Sequence, residues 1–247
     1  MTSLAPVAQS ADRVPHYQRL RAELSAKIAS QFWKPGDAIA TESELASTYG
    51  VSVGTVRKAI DSLVADRILE RAQGKGTFVC RPKFDSSLFR FFRFEGLDGE
   101  QLTPESRILK RELIKAPPLV AQALGLGAAA HAIHLHRLRL VEGRPFMLES
   151  IWLSRVRFAA LLKIDPREFG DLLYPLYEQY CGQVVATARE TLTAEAAGSR
   201  QAKLLGIPAG SPVVVIERLA RSFDHSPIEW RRTYGASNQF RYHIEIR

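Results

Sequence analysis

Between Tyr49 and Val53 the chain has three residues, Gly50, Val51 and Ser52, in which to end one helix and begin another. A glycine can take the left-handed conformation that closes a helix, and a serine can cap the next one by accepting from its first backbone N–H groups. The segment before this turn, "TESELASTYG", has Thr41 as an N-cap and Glu44 three residues on, the spacing of a capping box. The segment after it, "SVGTVRKAIDSLVADRI", reads as a helix that buries Val56, Ile60, Leu63 and Val64 and presents Thr55, Arg57 and Lys58 in its first turns. Upstream, "HYQRLRAELSAKIASQF" sets Tyr17, Leu20, Leu24, Ile28 and Phe32 at helical spacing until "KPG" ends the helix. Downstream, "ILERAQGKGTFV" reads as two extended segments joined at a glycine-rich tip, Gln73–Gly74–Lys75–Gly76. Three helices and a hairpin in this order make a winged helix-turn-helix. Its second turn helix enters a major groove by its N-terminal end, and the hairpin sets Lys75 over a phosphate.

The tip also has the composition of a nucleotide loop, with glycines, a lysine and Thr77 close together. Such a loop needs G-x-x-x-x-G-K-[ST] between a strand and a helix. Here the glycines are two apart, Lys75 precedes the second, and the β-rich "TFV" follows. A purely structural hairpin tip is the other alternative, since glycines are routine there; the helix-turn-helix directly upstream favours the wing.

The 247 residues suffice for one large or two modest domains, and the net charge of +8 fits an anionic partner. The charge is not concentrated on the helical part: residues 1–80 hold 10 Lys/Arg and 8 Asp/Glu. DNA binding there must come from placement of charge rather than from its amount. Two distant cysteines, Cys80 and Cys181, give no metal-type pair and no disulfide framework. No apolar run approaches the roughly 18 residues of a membrane span, and the N-terminus lacks the pattern of a signal peptide. A cytoplasmic protein is expected.

Residues 15–80 resemble the winged helix of GntR-family bacterial transcription regulators, through the E-x-E-L segment, the G-T-V-R-K-A helix and the Q-G-K-G-T-F-V wing. The resemblance implies DNA contact from Thr41, Ser43, Ser52, Thr55, Arg57 and Lys58, and from the wing residues Gln73, Gly74, Lys75, Gly76 and Thr77. Arg57 would read the major groove, and the wing tip would enter the adjacent minor groove. Many members of that family carry arginine where this chain has Ser43 and Val53, so no known operator sequence transfers.

Beyond residue 80, "CRPKFDSSLFRFFRFEGLDGE" interleaves Phe89, Phe91, Phe92 and Phe94 with Arg90 and Arg93. Such a mix can bind single-stranded nucleic acid, but a short run at this place reads better as a linker turning into an edge strand. An internal repeat follows: 116–149 and 194–230 each give a short helix ending in Leu-Gly, a turn, a strand, a tight turn and a second strand. Arg137 then corresponds to Arg218, and Glu149 to Glu229. A period near 80 residues suggests two halves of one sheet related by an approximate two-fold axis rather than a solenoid. Strands are expected at about 106–115, 132–141, 145–153, 184–195, 212–223, 227–236 and 239–246, mainly antiparallel, which makes the fold class α+β.

This second region resembles the effector-binding UTRA domain of the HutC branch of the same family, which shares its fold with chorismate lyase. The matching stretches are "HRLRLVEGRPFMLESIWL", "LYPLYEQYCG", "AKLLGIPAGSPVVVIERLA" and "PIEWRRTYG". Arg137 and Arg139 stand two apart on a strand, about 7 Å from each other on one face, and two guanidiniums there can clamp a carboxylate or phosphate. The resemblance adds Glu149, Glu229 and Tyr234 as effector contacts, with pairing to an arginine as the equal alternative for Glu149. A three-residue loop would set Glu149 opposite Arg137 and a two-residue loop opposite His136. Leu172 stands where members that bind phosphorylated sugars often have serine or threonine, which argues against a sugar phosphate. His134 and His136 share a face while His131 opposes them, so three histidines make an awkward zinc site, and neither metal nor cofactor is expected.

The expected organisation is a disordered lead at 1–14, the winged helix at 15–80, a linker at 81–92 and an effector-binding, dimerising domain at 93–247. The expected function is a homodimeric repressor that binds a palindromic operator and is released by a small anionic metabolite. Two rivals are a chorismate-lyase-like enzyme fused to a DNA-binding head and a non-specific architectural DNA binder. No catalytic triad, metal set or cofactor loop supports the enzyme, and the architectural reading leaves Arg137 and Arg139 unexplained.

Overall fold

The computed structural model describes residues 14–81, 94–95, 104–239 and 241–242. Nearly all of the expected lead at 1–14 and linker at 81–92, and most of the strand at 239–246, lie outside the described residues. The chain divides into two compact units, Met1–Arg81 and Pro82–Arg247.

The first unit holds three helices, α1 (His16–Ala29), α2 (Glu42–Tyr49) and α3 (Val53–Ala65), and a hairpin of β1 (Leu69–Ala72) and β2 (Gly76–Val79). The capping box forms as expected: Thr41 Oγ1 accepts from Glu44 N, and Glu44 Oε2 accepts from Thr41 N at 2.8 Å. Gly50 closes α2 at φ +61°, and Ser52 caps α3 by accepting from Thr55 N at 3.2 Å. Leu20, Leu24, Ile28, Leu45, Val56, Ala59, Ile60 and Leu63 are buried. Ala59 takes the place expected for Val64, which is only half-buried.

Helix α1 is shorter than its apolar spacing predicts. Gln31 turns to φ +60°, and Phe32 N donates back to Lys27 O at 2.9 Å, closing the helix before Phe32. Phe32 is 66% exposed and stands edge-on to Trp33 instead of joining the core.

The second unit is built on one six-stranded antiparallel sheet. Its strands are β4 (Glu105–Lys115), β5 (His131–Val141), β6 (Arg144–Ser154), β7 (Thr187–Ala196), β8 (Pro212–Arg221) and β9 (Pro227–Ala236), in the order β4-β5-β6-β9-β8-β7. A short pair, β3 (Phe94–Glu95) with β10 (Arg241–Tyr242), forms a separate two-stranded sheet. The order is symmetric about the β6–β9 seam, as two repeated halves require, with α4 (Pro118–Ala123) and α6 (Ser199–Leu205) at matching places in the two halves.

Strand alternation divides the side chains between two faces. On one face α4 packs over Ala132, Trp152 and Trp230, and α6 over Leu138, Leu140, Leu148, Val213 and Val215. On the other, α5 (Leu173–Cys181) and the 3-10 turns Ala159–Leu162 and Pro166–Glu168 lie in the segment that covers Ile133, Leu135, Ile151 and Leu153.

The β5–β6 hairpin settles the position of Glu149. Its loop has two residues, Glu142 and Gly143, yet Glu149 stands opposite Arg137 and not His136. Pairing runs from Leu140↔Pro145 to Arg139↔Met147, so Phe146 is an extra residue that shifts the register by one. The repeat is corrected by the same register. Arg137 faces Glu149, while its counterpart Arg218 faces Arg231, so Glu149 corresponds to Arg231 rather than to Glu229.

Candidate nucleic-acid interface and effector site

The residues expected at DNA gather on the α2–α3 turn and the wing. Thr41, Ser43, Ser52, Arg57 and Lys58 are exposed, and Thr55 is half-buried with its hydroxyl 2.9 Å from Ser52 Oγ. Arg57 is held by Glu42, Nη2 to Oε2 at 2.9 Å, and this pairing raises its pKa. Lys58 leans away from the α3 tip, its Nζ 4.2 Å from the centre of the Tyr17 ring. In the wing, Ala72 pairs with Gly76, leaving Gln73, Gly74 and Lys75 as an exposed three-residue loop. Gly76 sits at φ +122°, a conformation closed to side-chain-bearing residues, and Gly74 has open space where a Cβ would project. Thr77 is half-buried, its carbonyl accepting from Ile39 N. Sequence reasoning missed Arg71: it bridges Glu42 at 3.2 Å and Asp61 at 2.8 Å, tying the wing strand to both turn helices.

On the α5 face of the sheet lies a buried ionic network. Arg137 Nε donates to Glu149 Oε2 at 2.5 Å, and both side chains are 1% exposed. Arg231 Nη1 donates to the other oxygen of Glu149 at 3.0 Å, across the β6–β9 seam. Arg231 also forks onto Glu229, with Nε at 2.9 Å and Nη2 at 2.8 Å. Tyr177 donates to Glu229 at 2.7 Å and Tyr174 at 3.3 Å, so α5 is fastened to the network by two phenols. Arg218 extends it toward the β7 edge, where its Nε donates to Glu190 Oε1 at 2.6 Å. At the other end, Arg139 Nη1 donates to Ser106 Oγ at 2.9 Å and to the Asp171 carbonyl at 2.7 Å.

The electrostatics of the network are uneven. Burial alone would push the Glu149 carboxyl up, but Arg137, Arg231 and Arg139 outweigh it and hold it well below the usual carboxylate range. Burial, then the neighbouring Arg137 charge, presses Arg139 down to about 9. Arg137 Nη1 is buried and has no hydrogen-bond partner among the described residues.

Two regions of the chain match known families: residues 16–79 match "Bacterial regulatory proteins, gntR family", and residues 99–241 match the UTRA domain. The chain belongs to the gntR family, in its UTRA-bearing branch. The transcriptional repressor NagR of Bacillus subtilis is 30% identical over 224 residues, covering 88% of this chain and 91% of its own. The histidine utilization repressor of Klebsiella aerogenes is 27% identical over 239 residues, covering 94% of each chain. The ligand-binding domain of a GntR-family regulator from Bordetella bronchiseptica superposes with a TM-score of 0.57 at 26% identity, covering 64% of this chain and 98% of its own. This gntR protein is a ligand-responsive, DNA-binding transcriptional regulator of the repressor type, and not an enzyme.

Of the five residues expected at the effector, the UTRA domain of this gntR protein brings four together. Arg137, Arg139, Glu149 and Glu229 share the α5 face, whereas Tyr234 pairs with Leu148 and Val215 on the opposite face and packs beside α6. Tyr234 is five residues from Glu229, an odd separation, so alternation alone sets the two on opposite faces. The same counting would have found Arg231, two residues from Glu229. Tyr174 and Tyr177 are three apart on α5 and share one side of it. No helix among the described residues is long and apolar enough to cross a membrane.

Proposed function

We propose that the Arg137–Arg139 end of the buried network is the effector site and that it takes the anionic group of a small metabolite, a carboxylate in preference to a sugar phosphate. The observation that carries this reading is the buried, unpartnered Arg137 Nη1 beside a second buried guanidinium whose pKa is depressed. Two crowded cations gain from an anion, and one oxyanion can bridge both forks. Asp171 and Leu172 lie just before α5, so an anion that displaces the Asp171 carbonyl from Arg139 would shift the start of that helix.

In this reading residues 15–80 bind a palindromic operator and residues 93–247 bind effector and dimerise, with 81–92 between them, in a cytoplasmic homodimer. Exposed apolar side chains on the two edge strands support self-association: Leu109, Leu113 and Ile114 on β4 and Leu192 on β7. Thr41, Ser43, Ser52, Thr55, Arg57 and the wing tip supply the DNA contacts, and Lys58 joins them only if it leaves Tyr17. Effector binding alters how the two heads are presented to half-sites of fixed spacing and so releases the operator.

The test has two arms. Footprinting on the promoter of the protein's own gene should protect a palindromic site. A thermal-shift screen of small carboxylates, amino acids and phosphosugars should then give a carboxylate that raises the melting temperature and dissociates the complex. In Arg139→Lys, which keeps the charge and loses the fork, operator binding should persist while effector affinity falls at least tenfold. Equal effector affinity in Arg139→Lys would move the site elsewhere, and loss of DNA binding as well would make Arg139 structural.

A further inference from the structure

On the sheet face opposite the arginine network, two histidines and a glutamate converge between α4 and α6. Glu112 on β4 pairs with His134 on β5, and Lys110 pairs with His136. Pairing steps from Ile108↔Arg137 to Lys110↔His136, so Leu109 is an extra residue. That step turns Glu112 toward the histidines. One ligand atom from each of Glu112, His134 and His136 lies within 4.8 Å of the others. Glu112 Oε1 is bound by Lys110 Nζ at 2.6 Å, which leaves Oε2 facing His136 Nε2 at 3.8 Å.

His134 is the most constrained of the three. It is 7% exposed and stacks on Trp152, the ring centres 3.8 Å apart and the planes 10° apart. Its Nε2 lies 2.8 Å from Ser150 Oγ, which also accepts from Trp152 Nε1 at 3.2 Å. Its Nδ1 is buried and has no hydrogen-bond partner among the described residues. A histidine that donates from Nε2 to a hydroxyl holds a bare lone pair at Nδ1. Metal-binding histidines are prepared in this way, one ring nitrogen fixed by an outer partner and the other left for the ion.

We propose that Glu112, His134 and His136 form a site for a divalent transition-metal cation, best matched by Zn2+. Two neutral imidazoles and a carboxylate, with a fourth position for water, are a ligand set zinc accepts. Zinc–ligand bonds of about 2.0–2.2 Å put ligand atoms roughly 3.4 Å apart, so the three side chains close on the ion by small rotations. Lys110 and the nearby Arg200 oppose the ion's charge, and Lys110 must loosen its hold if Glu112 is to turn both oxygens to the metal. A bound ion would pin the edge strand β4 to β5 by a link that hydrogen bonds alone do not give. The expectation of no metal came from testing three histidines of one strand; here Glu112, from the neighbouring strand, takes the place of His131.

The experiment uses the untagged full chain, freed of metal, titrated with Zn2+ by calorimetry and with Co2+ by visible absorption. One ion per chain is expected, with Co2+ giving the visible bands of a low-symmetry, nitrogen-ligated site. Zn2+ should raise the melting temperature. Glu112→Gln and His136→Gln, which alter half-buried side chains, should each weaken binding at least tenfold and abolish the thermal shift while keeping the metal-free melting temperature. His134→Gln should do the same, and if it fails to fold the other two variants carry the test. Absence of stoichiometric binding by the parent chain overturns the proposal. So does parent-like affinity in both Glu112→Gln and His136→Gln, which would put the ion on another of the six histidines or on Cys80 or Cys181.

Discussion

Arg57 of α3 is ion-paired to Glu42 of α2, at 2.9 Å, and Glu42 also holds Arg71 of the wing. The side chain expected to read a base is therefore aimed before DNA arrives. Arg57→Ala should lower operator affinity roughly tenfold to a hundredfold, the worth of one good base contact. Non-specific DNA should be affected less. Anisotropy titrations on operator and scrambled duplexes measure both, and equal losses would make Arg57 a phosphate contact only.

Glu42→Gln should do something different. It removes a negative charge from the surface expected to face DNA, loosens Arg57 and leaves Arg71 on Asp61 alone. Affinity for scrambled DNA should rise while the ratio of operator to scrambled affinity falls, because positioning is lost and attraction gained. An unchanged ratio would show that Glu42 does not orient Arg57.

Lys75 lies at the exposed tip of the wing, between the paired residues Ala72 and Gly76. Lys75→Ala should weaken binding by a similar factor on every sequence and reduce the slope of log K against log salt by about one. A sequence-dependent effect would mean that the tip reads bases.

Glu149→Gln should be among the most destabilising single changes in the second domain. The carboxylate takes hydrogen bonds from Arg137 and Arg231, and all three side chains are almost wholly buried. Removing one partner from a buried ionic group costs about 3–5 kcal/mol. Urea unfolding followed through the strand signal gives the value, and a change below 1 kcal/mol would mean that the arginines find other anions.

The same residue sets an acid limit. Three arginines hold the Glu149 pKa below its unfolded value, which is about 4.3 for a free glutamate. Its contribution is therefore fully present above the unfolded pKa and is lost as pH falls through the folded one. Stability should decline with acid below about pH 4, and Glu149→Gln should show a shallower decline there than the parent chain.

The winged helix was legible because its signals are local. Thr41, Glu44, Gly50 and Ser52 act within four residues of themselves, and each took its expected role. Phe32 misled, because apolar spacing continues past the point where Gln31 turns left-handed. In the second domain the strands and the two-half order followed from alternation and from the repeat. The register did not. Extra residues at Leu109 and Phe146 shift the pairing; Leu109 has no glycine or proline beside it, and Pro145 beside Phe146 allows a bulge without fixing its place. Side chains brought together from separate strands, such as Glu149 with Arg231 or Glu112 with His134, depend on strand order and register together. Tyr234 is a different case: its side of the sheet could be counted from Glu229, and the resemblance drew it to the wrong company.

The extra residue at Phe146 makes this stretch behave like a reading frame. Every β6 side chain from Met147 onward owes its side of the sheet to it. A single-residue deletion between Glu142 and Phe146 would carry Glu149 into the aliphatic layer under α6 and bring Leu148 against the arginines. A two-residue change would slide the strand but keep each side chain on its own side. Related chains that conserve the ionic network should therefore differ in the length of this turn by even numbers.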